Sequence, residues 1–337
     1  MATQRELAKL ARVSAGTVSN VISGSTRVGD DARRRVLDAI RVLNYQPNLI
    51  ARSLRTNRTH TLGIVVPDLT IPFFPKIVRG AEAGARERGY FLIVLDSQRS
   101  HDLEIDMMAL LRQRVDGILL ITAGDHKWSA ESAAAIASGP PVVCVDRLPE
   151  GLHTDSVCVD DSGAAELGIK HLLSLGHRQI AIITGPQSLR NEQERLRGYR
   201  RALKNAGLSA LPSLIWSASF EMTDIHDVCQ RGLLRQKPKP TALFATNGVT
   251  GMCALMSLYS LGFTTPENIA FITFDELIAE DFFQPRITSI VQPTFDIGHK
   301  AVEVLFERFE HAGAGTVSRV RLPATLVVRD SSRRHIR

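Results

Sequence analysis

A chain of 337 residues exceeds one typical domain, and 44% hydrophobic against 23% charged residues leaves ample material for a core. No apolar stretch approaches the ~18 residues of a membrane helix, and the opening MATQRELAKL lacks the apolar core of a signal peptide, so the expectation is a soluble, cytoplasmic protein. Charge is uneven: residues 1–60 hold 11 Lys+Arg against 4 Asp+Glu, net +7, while the other 277 hold 30 against 31, net −1, a split that points to nucleic acid held by one end.

The first elements are short and amphipathic. Thr3 followed by Glu6 spells a capping box, and Leu7, Leu10 and Ala11 fall at helical spacing, which predicts a helix over Gln4–Ala11. Val13 closes a turn, and Ser14 caps a second helix that buries Val18, Val21 and Ile22. Its other face, Ala15, Gly16, Thr17, Ser19 and Asn20, is small and polar, of a kind that enters a major groove about 12 Å wide. A third helix, from Asp30 or Asp31 to Leu43, is expected to bury Val36, Leu37, Ile40 and Leu43 and to turn Arg33, Arg34, Arg35 and Arg41 outward. Pro47 then starts a short apolar and basic stretch, NLIARSLR, too short to be stably helical alone.

The blocks VSAGTVSNVISG, RVGDDARRRVLDAIRVLNYQPN and ARSLRTNRTHTLGIVVPD resemble, in register, the N-terminal region of the lactose repressor (LacI/GalR) family of bacterial transcription regulators. That resemblance implies a helix-turn-helix head over 1–46 and a hinge helix with linker over 47–60. Ala15, Gly16 and Asn20 take the positions that discriminate operators, Thr17 faces bases, and Ser14 and Ser19 hold phosphates. Thr3, Arg27 and Tyr45 complete the DNA-facing set of the head, and Ser53, Leu54 and Arg55 that of the hinge, where Leu54 matches a leucine wedged into the minor groove. Ala15 and Gly16 depart from the longer side chains of many members, which shifts base reading toward Asn20, Thr17, methyl contacts and DNA shape.

Beyond Thr59, apolar runs at 62–67, 91–96, 117–122, 141–146, 156–160, 180–185, 241–246 and 269–274 alternate with helical patterns at 75–89, 102–114, 162–175, 195–206, 249–261 and 296–310. Nearly continuous apolar runs suit parallel strands covered on both faces, so the fold class is α/β with two doubly wound parallel sheets. This part resembles the periplasmic-binding-protein-like core of the same family. The resemblance implies an effector-binding and dimerisation core over 61–330, with one subdomain about 61–160 and 292–322, the other about 161–291 and 323–330, and a tail over 331–337. The helices from about Pro75 to Gly89 and from about Asp296 to Glu310 are candidate dimer surfaces. Residues at strand ends match family positions associated with effector contact: Phe73, Phe74, Arg147, Asp160, Asn247, Asp275 and Gln292. Arg195 in ERLRGY matches the R-x-x-G arginine, Phe220 an aromatic wall, and Arg190 joins the set. Arg147, Arg190 and Arg195 together suggest an anionic group on the effector, such as a sugar acid; the stretch ATNGVTGMCAL with FDE resembles family members that respond to gluconate-type or ketogluconate-type compounds.

Catalysis finds no support. The phosphate loop G-x-x-x-x-G-K-[ST], the elbow G-x-S-x-G, H-E-x-x-H and a strand-following G-x-G-x-x-G are all absent, and Cys144, Cys158, Cys229 and Cys253 stand far apart with no C-x-x-C. No metal or cofactor is expected. The reading is a homodimeric, effector-controlled repressor of pseudo-palindromic duplex DNA; the alternative is a cytoplasmic sugar-binding protein whose basic head docks an acidic protein.

Overall fold

The capping box at Thr3 is formed in the computed structural model, which describes residues 3–22, 27–45, 58–124, 128–235, 237–277, 284–310 and 316–333. The Thr3 hydroxyl accepts from the Glu6 amide at 3.3 Å, and the Glu6 carboxylate accepts from the Thr3 amide at 2.7 Å. Two amides that a helix start leaves without partners are thereby satisfied. The helix so begun, α1 (Gln4–Ala11), stops at Arg12, which takes the left-handed conformation (φ 52°). Ser14 Oγ accepts from the Thr17 amide at 3.0 Å and opens α2 (Ala15–Ile22); α3 is Asp30–Val42. Leu7, Ala11, Val18, Val21, Val36 and Ala39 make the core of this head. Leu37 differs from expectation. It is 44% exposed, because Val36, Ala39 and Ile40 already fill the inward face of α3 and Leu37 sits about 100° round the helix from Val36. The hinge stretch Pro47–Arg55, with Ser53, Leu54 and Arg55, lies outside the described residues.

Residues from His60 onward form a separate unit built on two six-stranded sheets. The first contains β1 (Thr61–Val66), β2 (Phe91–Asp96), β3 (Gly117–Leu120), β4 (Val142–Val145), β5 (Asp155–Val159) and β11 (Arg319–Leu322), all parallel, in the order β11-β5-β4-β3-β1-β2. The second contains β6 (Ile180–Thr184), β7 (Ile215–Ser217), β8 (Ala242–Ala245), β9 (Ala270–Phe274), β10 (Thr288–Val291) and β12 (Thr325–Val327), in the order β12-β10-β9-β8-β6-β7. Its margin departs from the all-parallel expectation, since β12 runs antiparallel to β10. The chain therefore passes between the sheets three times, after Val159, after Val291 and after Leu322.

Strands β3, β4, β6, β8 and β9 have every residue buried, as helices on both faces require. Around them lie α4 (Phe73–Glu87), α5 (His101–Leu111), α6 (Ala130–Ala137), α7 (Asp161–Ser174), α8 (Arg190–Asn205), α9 (Met222–Gln230), α10 (Gly248–Ser260) and α11 (Thr294–Glu310). The first sheet with α4, α5, α6 and α11 is one lobe; the second sheet with α7 to α10 is the other.

Helices α4 and α11 pack backbone to backbone at two glycines. A Cβ on Gly298 would stand 2.0 Å from the Ile77 carbonyl oxygen, and one on Gly80 2.0 Å from that of Phe295. Backbone cannot yield to a methyl group at that distance, so Gly298→Ala is expected to destabilise the fold by about 1–3 kcal/mol, the usual cost of overpacking. A denaturation midpoint of the His60–Arg337 unit equal to the parent's would refute this.

Candidate functional site

Two sites take shape, one in each unit. On the head, α2 buries Val18 and Val21 and presents Ala15, Gly16 and Asn20 exposed, with Thr17 and Ser19 half-exposed. Ser14 is exposed but its hydroxyl is committed to the α2 start, and Thr3 likewise caps α1. Arg27 is exposed, whereas Tyr45 is only 9% exposed and packs within the core of the head, so its ring contributes burial rather than surface. A Cβ on Gly16 would meet only Ser14 Oγ, at 3.6 Å. Packing does not demand glycine there; an open helix surface remains.

Between the two lobes lies a cavity of about 560 Å³, within the size range of small-molecule sites. It opens beyond the carboxyl ends of the strands, where Pro67, Ala123, Asp146, Asn247 and Asp275 line it. Phe73 and Phe74 begin α4, two residues earlier than the pattern at 75 suggested, with rings edge to face at 5.3 Å; Phe74 is core and Phe73 half-buried. Phe220 lines the other side, with the Arg99 guanidinium 6.0 Å from its ring centre.

The polar floor is built on Arg195, which is 2% exposed. Its Nε donates to Asp161 Oδ1 at 2.8 Å, its Nη1 donates to the Thr246 carbonyl at 2.6 Å, and its guanidinium lies 3.7 Å from the Phe274 ring centre. Glu192, 1% exposed, accepts from the Gly185 amide at 3.0 Å, from Asn247 Nδ2 at 3.0 Å and from the Thr246 hydroxyl. Asn247 Oδ1 also accepts from the Thr250 amide and so caps α10. Asp275 accepts from Gln292 Nε2 at 2.7 Å, while Gln292 Oε1 has no partner among the described residues. Burial pushes the Asp275 carboxyl upward against the pull of Arg195, and pushes that of Asp161 up to about 7. Asp146 and Asp275 each follow a strand in left-handed backbone (φ 67° and 69°), a strain typical of functional positions.

The structure thus brings Phe73, Phe74, Arg147, Arg195, Phe220, Asn247, Asp275 and Gln292 to one cavity, and leaves out two expected residues. Asp160 is spent as the N-cap of α7, accepting from the Gly163 amide at 3.1 Å; its neighbour Asp161 turns inward instead. Arg190 is exposed on the first turn of α8 and faces a different cleft. The case for an anionic effector falls with it. Arg195 is held by Asp161, Arg147 lies 3.2 Å from Asp146, and the lining carries four basic side chains (Lys76, Arg99, Arg147, Arg195) against five acidic ones (Asp146, Glu192, Asp275, Glu276, Asp296). Sequence reasoning missed Glu192 and Asn191, which sit in the polar run RNEQERLR; the rule that selected Arg147 at a strand end also covers Asp146.

A sequence model described as bacterial regulatory proteins of the lacI family matches residues 3–48, and one described as periplasmic binding proteins and sugar binding domain of LacI family matches residues 59–328. The HTH-type transcriptional repressor PurR of Haemophilus influenzae (strain PittEE) is 33% identical over 334 residues, 98% of each chain. The ribose operon repressor of Escherichia coli (strain K12) is 34% identical over 309 residues, 91% of this chain and 93% of that one. Among solved structures, the transcriptional regulator CelR–cellobiose complex aligns with TM-score 0.72 at 31% identity, covering 98% of this chain and all of that one. The lac repressor dimer bound to operator and the anti-inducer ONPF shares the fold with TM-score 0.84 at 23% identity, covering 99% of each.

Two outcomes follow from this geometry. Between the ordinary aspartate range and pH about 7, the folded chain holds a proton on Asp161 that the unfolded chain has released. Stability therefore falls as pH rises through that window. Asp161→Asn should flatten that part of the slope in denaturant titrations at a series of pH values; an unaltered slope would contradict it. Separately, Gly16→Ala should leave the melting temperature of the head unchanged or raise it, by up to about 1 kcal/mol of helix propensity; a marked loss would mean hidden packing at Gly16.

Proposed function

Because the chain belongs to the LacI family of bacterial regulatory proteins, we propose that it represses transcription as a homodimer on a pseudo-palindromic duplex operator, with affinity set by a neutral sugar in the interlobe cavity. The relatives named above are transcriptional repressors, not enzymes. The basic head supplies phosphate affinity, and Ala15, Gly16, Thr17 and Asn20 form its base-reading surface, with Ser14, Ser19, Thr3 and Arg27 at the backbone. Leu54, with Ser53 and Arg55, acts in the minor groove; the exposed faces of α4 and α11 are candidate dimer surfaces.

The charge balance of the cavity carries the effector reading. A hydroxyl both donates and accepts, so Asp146 beside Arg147 on one lobe and Asp275 near Arg195 on the other suit vicinal hydroxyls better than a carboxylate. Phe73 and Phe220 offer apolar planes for a sugar ring. The matched sugar-binding domain and the ribose operon repressor support a pentose. A second reading, a purine base, is favoured by the aromatic walls and by the relatives named PurR. A ligand touching both lobes stabilises one closure of the cleft, and a coupling of 1–3 kcal/mol to the head changes operator affinity about 5- to 150-fold.

Calorimetric titration of pentoses, hexoses and purine bases is expected to yield one sugar whose affinity drops about tenfold or more in Asp275→Asn. A purine that binds, with its affinity lost in Phe73→Ala, moves the assignment to the second reading. Operator binding should weaken steeply between about 50 and 200 mM salt and relax in sequence preference with Asn20→Ala; salt-insensitive or absent DNA binding would instead support a protein partner for the head.

A further inference from the structure

Where the chain leaves the first lobe after Val159 and again after Leu322, a second, smaller cleft of about 70 Å³ opens between the lobes. One wall is β11, on which Arg319 and Arg321 alternate with Val320 and so share a face. The other wall is formed by the first turns of α7 and α8, with Ser162 and Arg190. The side chains of Arg190, Arg319 and Arg321 make no hydrogen bond or ion pair among the described residues. Three of the four acids in the cleft are engaged: Asp146 by Arg147 at 3.2 Å, Asp161 by Arg195 at 2.8 Å and Glu194 by Arg197 at 2.6 Å. The fourth, Asp160, accepts only the Gly163 amide and keeps its other lone pairs open.

Ser162 lines the cleft, is 7% exposed, and its Oγ has no hydrogen-bond partner among the described residues, so its hydroxyl is uncommitted toward an occupant of the cleft. A water-sized volume is about 10–15 Å³ by this measure, so the cleft holds roughly five such volumes, the size of one tetrahedral oxyanion.

We propose that this cleft binds a small protonated oxyanion, hydrogen phosphate. Arg190, Arg319 and Arg321 balance its charge, and Ser162 Oγ at the positive end of α7 hydrogen-bonds it. Asp160 accepts its O–H. That acceptor selects hydrogen phosphate over sulfate, and over a phosphate monoester whose second pKa is about 6, because neither dianion has a proton to offer and each would face the carboxylate. The bound ion joins β11 of one lobe to α7 and α8 of the other. Asp146, Arg147 and Asn191 line both this cleft and the large cavity, so the ion and the cavity ligand modulate each other's affinity reciprocally. The proposal does not depend on which molecule fills the large cavity.

The test is thermal denaturation and calorimetric titration of the full chain with phosphate, methyl phosphate and sulfate, ionic strength being held constant with chloride. Above pH 7 phosphate should raise the melting temperature saturably, and methyl phosphate and sulfate should do so less. The Arg319→Ala/Arg321→Ala variant, altered only at exposed positions, should melt like the parent without ligand and bind at least about tenfold more weakly. Ser162→Ala should weaken binding less. The proposal is overturned if phosphate does not bind saturably, if sulfate or methyl phosphate matches it, or if the double variant keeps the parent affinity, as it would were phosphate held by the basic head.

Discussion

The body is organised around one buried cation. A guanidinium removed from water is tolerable only when its donors are matched, because the desolvation cost of an unpaired charge exceeds what packing returns. Arg195 meets that condition by reaching Asp161 at the start of α7, the Thr246 carbonyl at the end of β8 and the face of Phe274 on β9. Three separate elements are thus held in register at the cavity floor. Glu192 extends the same network to Gly185 and Asn247. Any ligand that reaches the floor meets polar groups already fixed in place, and preorganisation of this kind reduces the ordering cost of binding.

The two lobes repeat one local design with different chemistry. Asp146 follows β4 and its amide donates to the Val157 carbonyl on β5 at 3.0 Å; Asp275 follows β9 and its amide donates to the Ile290 carbonyl on β10 at 2.9 Å. Both take the same left-handed backbone. The residue that follows differs: Arg147 on one side, Glu276 on the other, the latter held by Arg329 at 3.0 Å and 4.0 Å from Lys76 across the cleft. Matched backbone thus carries opposite charge on the following residue, and the two walls of the cavity are chemically unlike.

Much of this was legible in the chain itself, for identifiable reasons. The Thr3–Glu6 box, the Ser14 cap and the nearly continuous apolar runs of the central strands are local signals, and the structure forms each of them. What escaped is what periodicity cannot register. Strands β7, β11 and β12 are three or four residues long and lie at sheet margins, where burial alternates or fails. Helix α8 begins at Arg190, not near 195, because its inward face carries Asn191, Glu192 and Arg195, residues that read as solvent-facing. Asp160 and Asp161 are adjacent and chemically alike, so only three-dimensional placement separates a helix cap from a buried ion-pair partner.

The triple passage of the chain between sheets bears on how the molecule is made. Ribosomal synthesis releases β1 to β5 first, yet the helix that packs against that sheet, α11, and the strand that completes its edge, β11, lie more than 130 residues further on. The nascent first lobe therefore emerges with apolar surface uncovered and an unpaired strand edge, the condition under which long-range pairing is slow and aggregation competes. Neither lobe is a contiguous piece that an exon, a protease or an engineer could lift out whole; swapping cavity halves between such proteins requires three splice junctions, not one.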